Sequence, residues 1–208
     1  MKERWQGIVL FLPVPIVLWL ITNLPLGMWP SLGLGVALMV THRLYARPFA
    51  LKRQARRCLW CGKGGTAADL APLAVTEPMG ETVWQVCPDE HRKKLTGFLG
   101  WATTRALFLR IGIIGSLLLY LITIPLAFYG KLGPVSTVDL SYGFRLLIAL
   151  TVLPLGWLGP GSRGGVGSLS VPFPVHIQAL IGTVVVAWLF RIIGLIWLVA
   201  ATIHFLDG

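Results

Sequence analysis

The chain has 208 residues, of which 55% are hydrophobic and 12% are charged, whereas charged residues make up roughly 25% of an ordinary soluble domain. Its long apolar blocks predict a polytopic membrane protein and exclude a soluble single-domain enzyme, a disordered chain and a disulfide scaffold. The formal net charge is +10, and the basic residues flank the apolar blocks. Their expected partners are therefore anionic lipid headgroups, and nucleic acid is not expected to bind.

The first apolar block covers residues 5–40 and contains no charge. It is too long for one crossing, which takes about 20 residues, and residues 23–25 and 29–30 have turn composition in its middle. We expect a transmembrane hairpin here, with one tilted helix and a re-entrant segment as the alternative. The predicted hairpin domain is 1–46, with helices near 6–22 and 30–46.

A polar and basic insert, residues 47–97, follows the hairpin. Two strand-like runs, 70–76 and 81–86, flank a stretch of turn composition at 77–80. Residues 87–91 then place a proline and two acids where a helix begins, which predicts a helix that carries Cys87 in its first turn. The insert therefore has the composition of a small α+β unit.

Three cysteines and one histidine in this insert have the spacing of a zinc site, namely Cys58-x2-Cys61 and Cys87-x3-His91. Zn²⁺ prefers four thiolate or imidazole ligands in a tetrahedron. A Cys-x2-Cys turn brings two thiolates to one ion, and positions 87 and 91 share a helical face. An odd number of cysteines on a face expected to be cytoplasmic favours metal over disulfides. We predict one structural zinc ion bound by all four residues.

The order of cysteine knuckle, hairpin and helix over residues 58–95 resembles the treble-clef class of zinc fingers and, more loosely, the zinc ribbons. The resemblance implies a structural metal with four protein ligands, and the class accepts three cysteines and one histidine. The alternatives are free cysteines, a redox Cys-x2-Cys pair, and an iron–sulfur centre, which a histidine ligand disfavours. A catalytic zinc, which keeps an open position, is not expected.

The C-terminal membrane domain, residues 98–208, begins with the clearest crossing of the chain. Residues 111–129 are free of charge. Within them Gly112 and Gly115 either allow another helix to approach closely or are simply tolerated in a membrane helix. The block 146–158 is short, so it is a short crossing, an interfacial helix or a re-entrant segment.

The Gly-rich loop at 159–174 lacks the Gly-Lys-Ser/Thr ending of a phosphate loop, so we expect a flexible connector. The last block, 175–206, would make a helix of roughly 48 Å, longer than the ~30 Å hydrocarbon core. We expect it to tilt, to project, or to break near Arg191.

The predicted fold is an all-α polytopic membrane protein with four or five transmembrane helices. A small cytoplasmic α+β treble-clef-like zinc finger is inserted between the second and third helices. With the finger inside, 14 of the 18 Lys and Arg lie on the cytoplasmic face, as the positive-inside rule requires. There are five crossings if residues 146–158 span, and four if they do not. The expected location is a bacterial-type inner membrane, with the N-terminus also cytoplasmic.

Two arginines, Arg145 and Arg191, lie at membrane depth, where an ionisable side chain usually has a partner or lines a wet cavity. Acids are few, so we expect the partner to be a backbone carbonyl, a lipid phosphate, a bound anion or another subunit. The histidines at 42, 176 and 204 either ligate a haem or pigment or make interfacial hydrogen bonds. No two of them have ligand spacing on one helix.

These features predict a non-catalytic accessory or scaffolding subunit of a larger membrane complex, whose zinc finger docks a partner subunit. The alternative is a transporter or channel for an anionic or lipid substrate that uses Arg145 and Arg191. An enzyme is not expected, because the sequence has no Ser-His-Asp set, paired carboxylates or nucleotide fingerprint.

Overall fold

The computed structural model describes residues 2–23, 28–66, 69–162 and 168–207, which are mostly helical with one small sheet. The N-terminal region starts with two helices that separate where Pro13 takes the first position of the second helix, as proline prefers. A third helix then continues through a π-helical turn into a fourth. The helices are α1 (Lys2–Phe11), α2 (Pro13–Asn23), α3 (Met28–Thr41) and α4 (Arg47–Leu51), with the π-helical turn at His42–Ala46.

The predicted helices near 6–22 and 30–46 are therefore present, as α1 with α2 and as α3 with its π-helical turn. The stretch Gln6–Ile21 is apolar but shorter than a full crossing. Residues 24–25 of the predicted turn lie outside the described residues. That this hairpin crosses the membrane stays a prediction.

The sheet is built from a hairpin and one added strand. Strands β1 (Ala71–Glu77) and β2 (Gly80–Val86) pair antiparallel from Ala71 opposite Val86 to Glu77 opposite Gly80, which confirms the predicted strands and turn. Strand β3 (Leu169–Ser170) pairs parallel with β1 and gives the order β2-β1-β3. Part of the predicted flexible connector is thus a strand, while residues 163–167 of it lie outside the described residues.

Helix α5 (Glu90–Thr104) follows the hairpin and starts later than predicted. Asp89 has a positive φ of 61°, which is not a helical backbone conformation, so the helix begins only after this residue. Cys87 and Pro88 therefore precede the helix, and only His91 of the predicted ligand pair lies in its first turn. The hairpin and α5 enclose a core of fully buried apolar side chains, including Val75, Trp84, Val86, Leu95 and Phe98.

Three helices of the described chain are long and apolar enough to cross a membrane, Ala106–Phe128, Thr137–Gly161 and Thr183–Asp207. The first consists of α6 (Ala106–Arg110), a π-helical turn and α7 (Ser116–Phe128), and the second is α8 (Thr137–Leu158) with a final 3-10 turn. Helix α9 (His176–Ile181) precedes the third, which is α10 (Thr183–Asp207). These helices agree with a membrane protein, and the total of four or five crossings stays a prediction.

The structure changes two expectations in this region. The short block 146–158 belongs to a helix of 25 residues, because a capping box between Ser136 and Asp139 starts α8 well before the block. The last block does break, but at Gly182, whose φ is +94°, and α10 runs through Arg191 without interruption. Glycine tolerates that backbone conformation, which other residues rarely adopt.

Close contacts between the spanning helices occur at glycines. A Cβ on Gly112 would lie 2.9 Å from Cβ of Thr151 in α8 and closer still to its Oγ1. A Cβ on Gly194 of α10 would lie 2.8 Å from Leu153. Among the described residues, a Cβ on Gly115 would meet only Ile111 of the same helix, at 3.7 Å. Of the two glycines singled out in the sequence, Gly112 is therefore the one that admits a neighbouring helix.

Candidate metal centre

The first pair of ligands lies on a tight knuckle. The backbone N–H of Cys58 donates to the carbonyl of Lys63 at 2.9 Å, and the N–H of Gly62 donates to the carbonyl of Cys58 at 2.8 Å. Gly62 has a φ of +68°, which lets the chain close this turn without strain. Leu59 donates its N–H to the carbonyl of Gln85 in β2, so the knuckle is fixed to the hairpin.

The second pair comes from the junction between the hairpin and α5. Cys87 directly follows β2, and its backbone N–H donates to Sγ of Cys58 at 3.3 Å. The left-handed turn at Asp89 then brings His91, in the first turn of α5, towards the same point. The two ligand pairs are thus 26 or more residues apart in sequence and meet because β1 and β2 pair between them.

The ligand atoms of Cys58, Cys61, Cys87 and His91 all lie within 4.8 Å of one another. A tetrahedral ion with metal–sulfur bonds of about 2.3 Å places its sulfurs roughly 3.8 Å apart, so the cluster has the dimensions of a metal site. Nδ1 of His91 is buried and has no hydrogen-bond partner among the described residues. A buried nitrogen without a partner is costly, and coordination to a metal satisfies it. The cluster can therefore bind a metal ion.

The three thiols shift one another's pKa values. Burial and the neighbouring thiols of Cys58 and Cys61 together raise the pKa of Cys87 to about 12. Burial and the charge on Cys58 also raise the pKa of Cys61. Burial alone would raise the pKa of Cys58, but backbone N–H groups of Cys61 and Cys87 outweigh it and lower that pKa. A bound cation would favour the thiolate form of all three, because an opposite charge nearby stabilises the charged state.

Within the described part of the chain, no other group of three metal-ligating side chains comes this close together.

Arg145 and Arg191 lie away from the cluster, on two of the candidate spanning helices. Nε of Arg191 donates to the carbonyl of Gly156 at 2.8 Å, and its guanidinium lies over the rings of Trp157 and Trp188 at 5.0 and 4.7 Å. A backbone carbonyl is one of the acceptors expected for this residue. The guanidinium of Arg145 lies 4.8 Å from the ring centre of Tyr142.

The structure brings together two of the histidines that the sequence separates by 134 positions. Nε2 of His176 lies 3.4 Å from Nδ1 of His42, and Nδ1 of His176 lies 3.6 Å from a carboxylate oxygen of Glu77. Nε2 of His42 is buried without a hydrogen-bond partner among the described residues. The chain Glu77–His176–His42 thus connects the hairpin, α9 and the N-terminal helices. His204 makes a separate contact, 2.8 Å from Asp139.

Sequence reasoning missed Glu77, which is only 7% exposed. Its carboxylate accepts hydrogen bonds from the Thr82 hydroxyl, the Trp84 indole and the backbone N–H of Val175 at 2.5, 3.1 and 2.9 Å. Burial raises the pKa of Glu77, but its contact with His176 and these hydrogen bonds outweigh burial and lower the pKa below its ordinary value. An acidic residue at a predicted turn is expected to be exposed to solvent. The sequence therefore gives no indication that Glu77 is a buried hydrogen-bond acceptor.

The knuckle also contacts the start of α10. The backbone N–H of Thr183 donates to the carbonyl of Leu59 at 2.9 Å, and that of Val184 donates to the carbonyl of Trp60 at 3.0 Å. Both carbonyls belong to residues between the ligands Cys58 and Cys61. The candidate metal centre is therefore joined to a spanning helix by backbone hydrogen bonds. Comparisons of the chain with protein-family models, curated proteins and solved structures give no match.

Proposed function

We propose that this chain is a non-catalytic accessory or scaffolding subunit of a larger membrane complex, stabilised by a structural zinc finger on the cytoplasmic face. The observation that carries the proposal is the cluster of Cys58, Cys61, Cys87 and His91, whose four ligand atoms lie within 4.8 Å of one another, as many as a tetrahedral site needs. A metal with four protein ligands has no open position for a substrate, which is typical of structural sites.

The ligand set supports zinc in particular. Three thiolates and one imidazole form a soft to borderline set, and a tetrahedral arrangement of such ligands favours zinc among the metals available in cells. The location in a small hairpin-and-helix unit supports a folding role, because structural zinc commonly stabilises units of this size.

The finger offers a surface suited to a partner. On the outer face of the hairpin, Ala74 and Val83 are opposite each other and exposed, and Met79 is exposed at the turn. Three basic residues close in sequence to the ligands, Lys63, Arg92 and Lys93, are also exposed. Exposed apolar residues together with exposed polar ones are the composition of a protein–protein contact.

Purification at native expression, in a mild detergent, tests the accessory-subunit proposal. We expect other membrane proteins to copurify in fixed ratio with the wild-type chain and with Val135→Glu, and to be lost from Val83→Glu. Both valines are exposed, at 40% and 47%, but only Val83 lies on the finger. A chain that purifies alone, with its zinc intact, would overturn the proposal.

The cytoplasmic orientation is tested in intact cells. Cysteines introduced at positions 3 and 69 should both resist a membrane-impermeant thiol reagent and both react after permeabilisation, with the wild-type chain as the control for its three native cysteines. Reaction at position 69 from outside intact cells would reverse the orientation and move the finger to the other face.

A transporter or channel for an anionic or lipid substrate is the alternative function, and Arg191 is the residue it needs most. The guanidinium already has a backbone acceptor and two indole rings as neighbours. These contacts are those of a side chain that joins α8 to α10, so they support the accessory-subunit proposal more than a substrate pathway.

A further inference from the structure

The N-terminus of α10 is completed by residues of the metal knuckle. The first N–H groups of a helix have no partner within the helix and need an acceptor from elsewhere. Here the N–H groups of Thr183 and Val184 donate to the carbonyls of Leu59 and Trp60. The hydroxyl of Thr183 lies 3.2 Å from the Leu59 carbonyl, and Thr183 has no exposed surface. The acceptors are more than 120 residues away in sequence from the donors.

The fit between knuckle and helix depends on glycine at the break before α10. A Cβ on Gly182 would lie 3.0 Å from the carbonyl oxygen of Trp60 and 3.1 Å from the carbonyl carbon of Cys61. Gly62 faces the same junction, because its Cβ would lie 3.4 Å from the carbonyl oxygen of Ile181. The two backbones therefore touch directly, and neither can shift without moving the other.

We propose that metal occupancy of the cluster and the seating of α10 are one coupled equilibrium, so that the protein's membrane part responds to a thiolate-binding divalent cation such as zinc. The proposal rests on metal binding in the proposed function and is independent of partner docking. An ion that binds Cys58 and Cys61 fixes the orientation of the two carbonyls between them. Those carbonyls hold the first turn of α10, which carries Arg191 two turns further on.

Loss of the ion releases this cap. The knuckle then has no cation to hold its thiols together, and the Leu59 and Trp60 carbonyls lose their fixed direction towards α10. The first turn of the helix frays, and its contacts with α8 start later in the chain. By linkage, a change that unseats α10 must weaken metal binding by the same factor.

Hydrogen–deuterium exchange with mass spectrometry tests the forward direction on the full chain in lipid nanodiscs. Zinc-loaded protein is compared with protein stripped by a chelator under reducing conditions, and zinc is counted in both samples. We expect exchange at Thr183 and Val184 to be at least roughly tenfold faster without zinc, a factor typical of coupled sites. The N–H of Asp139, which donates to the Ser136 hydroxyl at the start of α8, should not change.

Two outcomes of that experiment separate the proposals. If the zinc is removed and exchange at 183–184 is unchanged, the coupling is overturned while metal binding stands. If the purified protein binds no metal at all, both the coupling and the metal-binding part of the proposed function are overturned, whatever copurifies with the chain.

The reverse direction uses matched glycine variants. Gly182→Ala and Gly130→Ala both place a Cβ at a positive φ, of +94° and +65°, but a Cβ on Gly130 has nothing within 4 Å. In a competition with a chromophoric chelator we expect Gly182→Ala to bind zinc roughly tenfold more weakly and Gly130→Ala within about twofold of wild type. Equal affinities in the two variants would overturn the coupling.

A milder variant keeps the test valid if Gly182→Ala fails to fold. Thr183→Val keeps the shape of the side chain and removes the hydroxyl, which lies 3.2 Å from the Leu59 carbonyl and 3.1 Å from Oε1 of Gln178. We expect it to weaken zinc binding by roughly two- to fivefold with the same helical circular dichroism as wild type. Unchanged zinc affinity in a folded Thr183→Val, together with unchanged affinity in Gly182→Ala, contradicts the proposal.

Discussion

Two regions of the molecule bury their apolar side chains in opposite ways: the unit formed by the knuckle, the hairpin and α5, called the finger here, and the three candidate spanning helices. Leu95 and Phe98 of α5 are 0% exposed, and so are Val75 and Val86 of the hairpin. Large apolar side chains of α10 are open by contrast, with Ile196 at 59%. In the most apolar stretch of Thr183–Asp207 only 22% is buried, and in the most apolar stretch of Ala106–Phe128 only 11% is buried.

This is the difference expected if the three candidate helices span a membrane and the finger lies in water. In water, burying apolar surface stabilises the fold by about 25 cal/mol per Å², so the finger collects its large side chains into a core. Lipid is as apolar as leucine, so the spanning helices gain nothing from hiding such residues and associate through small residues and polar contacts instead. Their contacts are accordingly made by Gly112, Gly156 and Gly194 and by the Arg191 guanidinium.

Removing a metal ligand should give the largest effect in either region. We expect His91→Gln to lower the zinc content from one ion per chain to below about 0.2 and to unfold the finger, because structural zinc contributes apparent binding energies of ~10–16 kcal/mol. Elemental analysis and tryptophan fluorescence measure the two results. His204→Gln, a histidine bonded to Asp139 in the membrane part, is the control and should keep its zinc.

A variant His91→Gln that still holds one zinc ion would remove histidine from the ligand set. A finger that stays folded without metal would show that its apolar core is enough to stabilise it. The contrast between the two regions would then come only from the difference between water and lipid as solvents.

Glu77→Gln should give the next largest effect. It replaces a buried carboxylate, whose two oxygens both accept hydrogen bonds, with an amide that has only one accepting oxygen. The amide must point one NH2 group at the donors of Thr82, Trp84 or Val175. We expect a loss of about 2–3 kcal/mol in the unfolding free energy, since hydrogen bonds to charged groups are worth ~1.5–3 kcal/mol each. Thermal unfolding followed by near-UV circular dichroism measures it.

Glu81→Gln, an exposed acid on the other strand of the hairpin, is the matched control and should unfold as wild type does. The difference between wild type and Glu77→Gln should shrink in acid, because the lowered pKa of Glu77 makes its contribution present above pH 4.5 and lost as pH falls through the folded pKa. A difference that grows in acid would contradict the role assigned to the carboxylate.

Gly112→Ala tests the packing of the spanning helices. The added Cβ overlaps Thr151 of α8, so we expect a loss of about 1–2 kcal/mol in stability in detergent, as for overpacked cores. Gly143→Ala is the matched control, because a Cβ there has nothing within 4 Å. The double variant Gly112→Ala with Thr151→Ala should recover part of the loss. If both glycine variants behave alike, small residues do not set the helix contacts.

Arg191→Leu should have the smallest effect on stability. The variant loses one hydrogen bond of a charged group, worth ~1.5–3 kcal/mol, and two ring contacts worth roughly 0.5–1 kcal/mol each. A gain in membrane insertion offsets this loss, because an arginine at the centre of a helix costs ~2.5–3.5 kcal/mol on insertion scales. Under the accessory-subunit proposal, fewer partners should copurify with it. Under the transporter alternative, assembly should be normal and transport lost. Arg110→Leu, an exposed residue of the first spanning helix, is the control.

The ligand cluster and hairpin could be predicted from sequence because both depend on short spacings. Cys58-x2-Cys61 and the turn at 77–80 are local patterns, and their geometry follows from the backbone alone. The break of the last block at Gly182 could not be found this way. At this break Gly182 packs against the knuckle, which lies more than 100 positions earlier in the chain.

Two further features were not predicted, each for a different reason. The helix that contains residues 146–158 starts in a polar stretch whose Ser136–Asp139 capping box is a short motif, and apolar length alone does not reveal it. The pairing of His42 with His176 joins two regions with no shared sequence pattern. A hydropathy pattern locates helices by their apolar centres. It does not indicate which polar segments at the ends of these helices contact each other.

The parallel pairing of β3 with β1 fixes the parity of the crossings between them. A hydrogen-bonded sheet cannot have strands on both sides of a bilayer, so Val75 and its partner Leu169 lie on the same side. The chain between them contains Ala106–Phe128 and Thr137–Gly161, and it must cross an even number of times. Those two helices therefore span together or not at all. In either case α10 starts on the side of the sheet, and if α10 spans, its last residues lie on the opposite side.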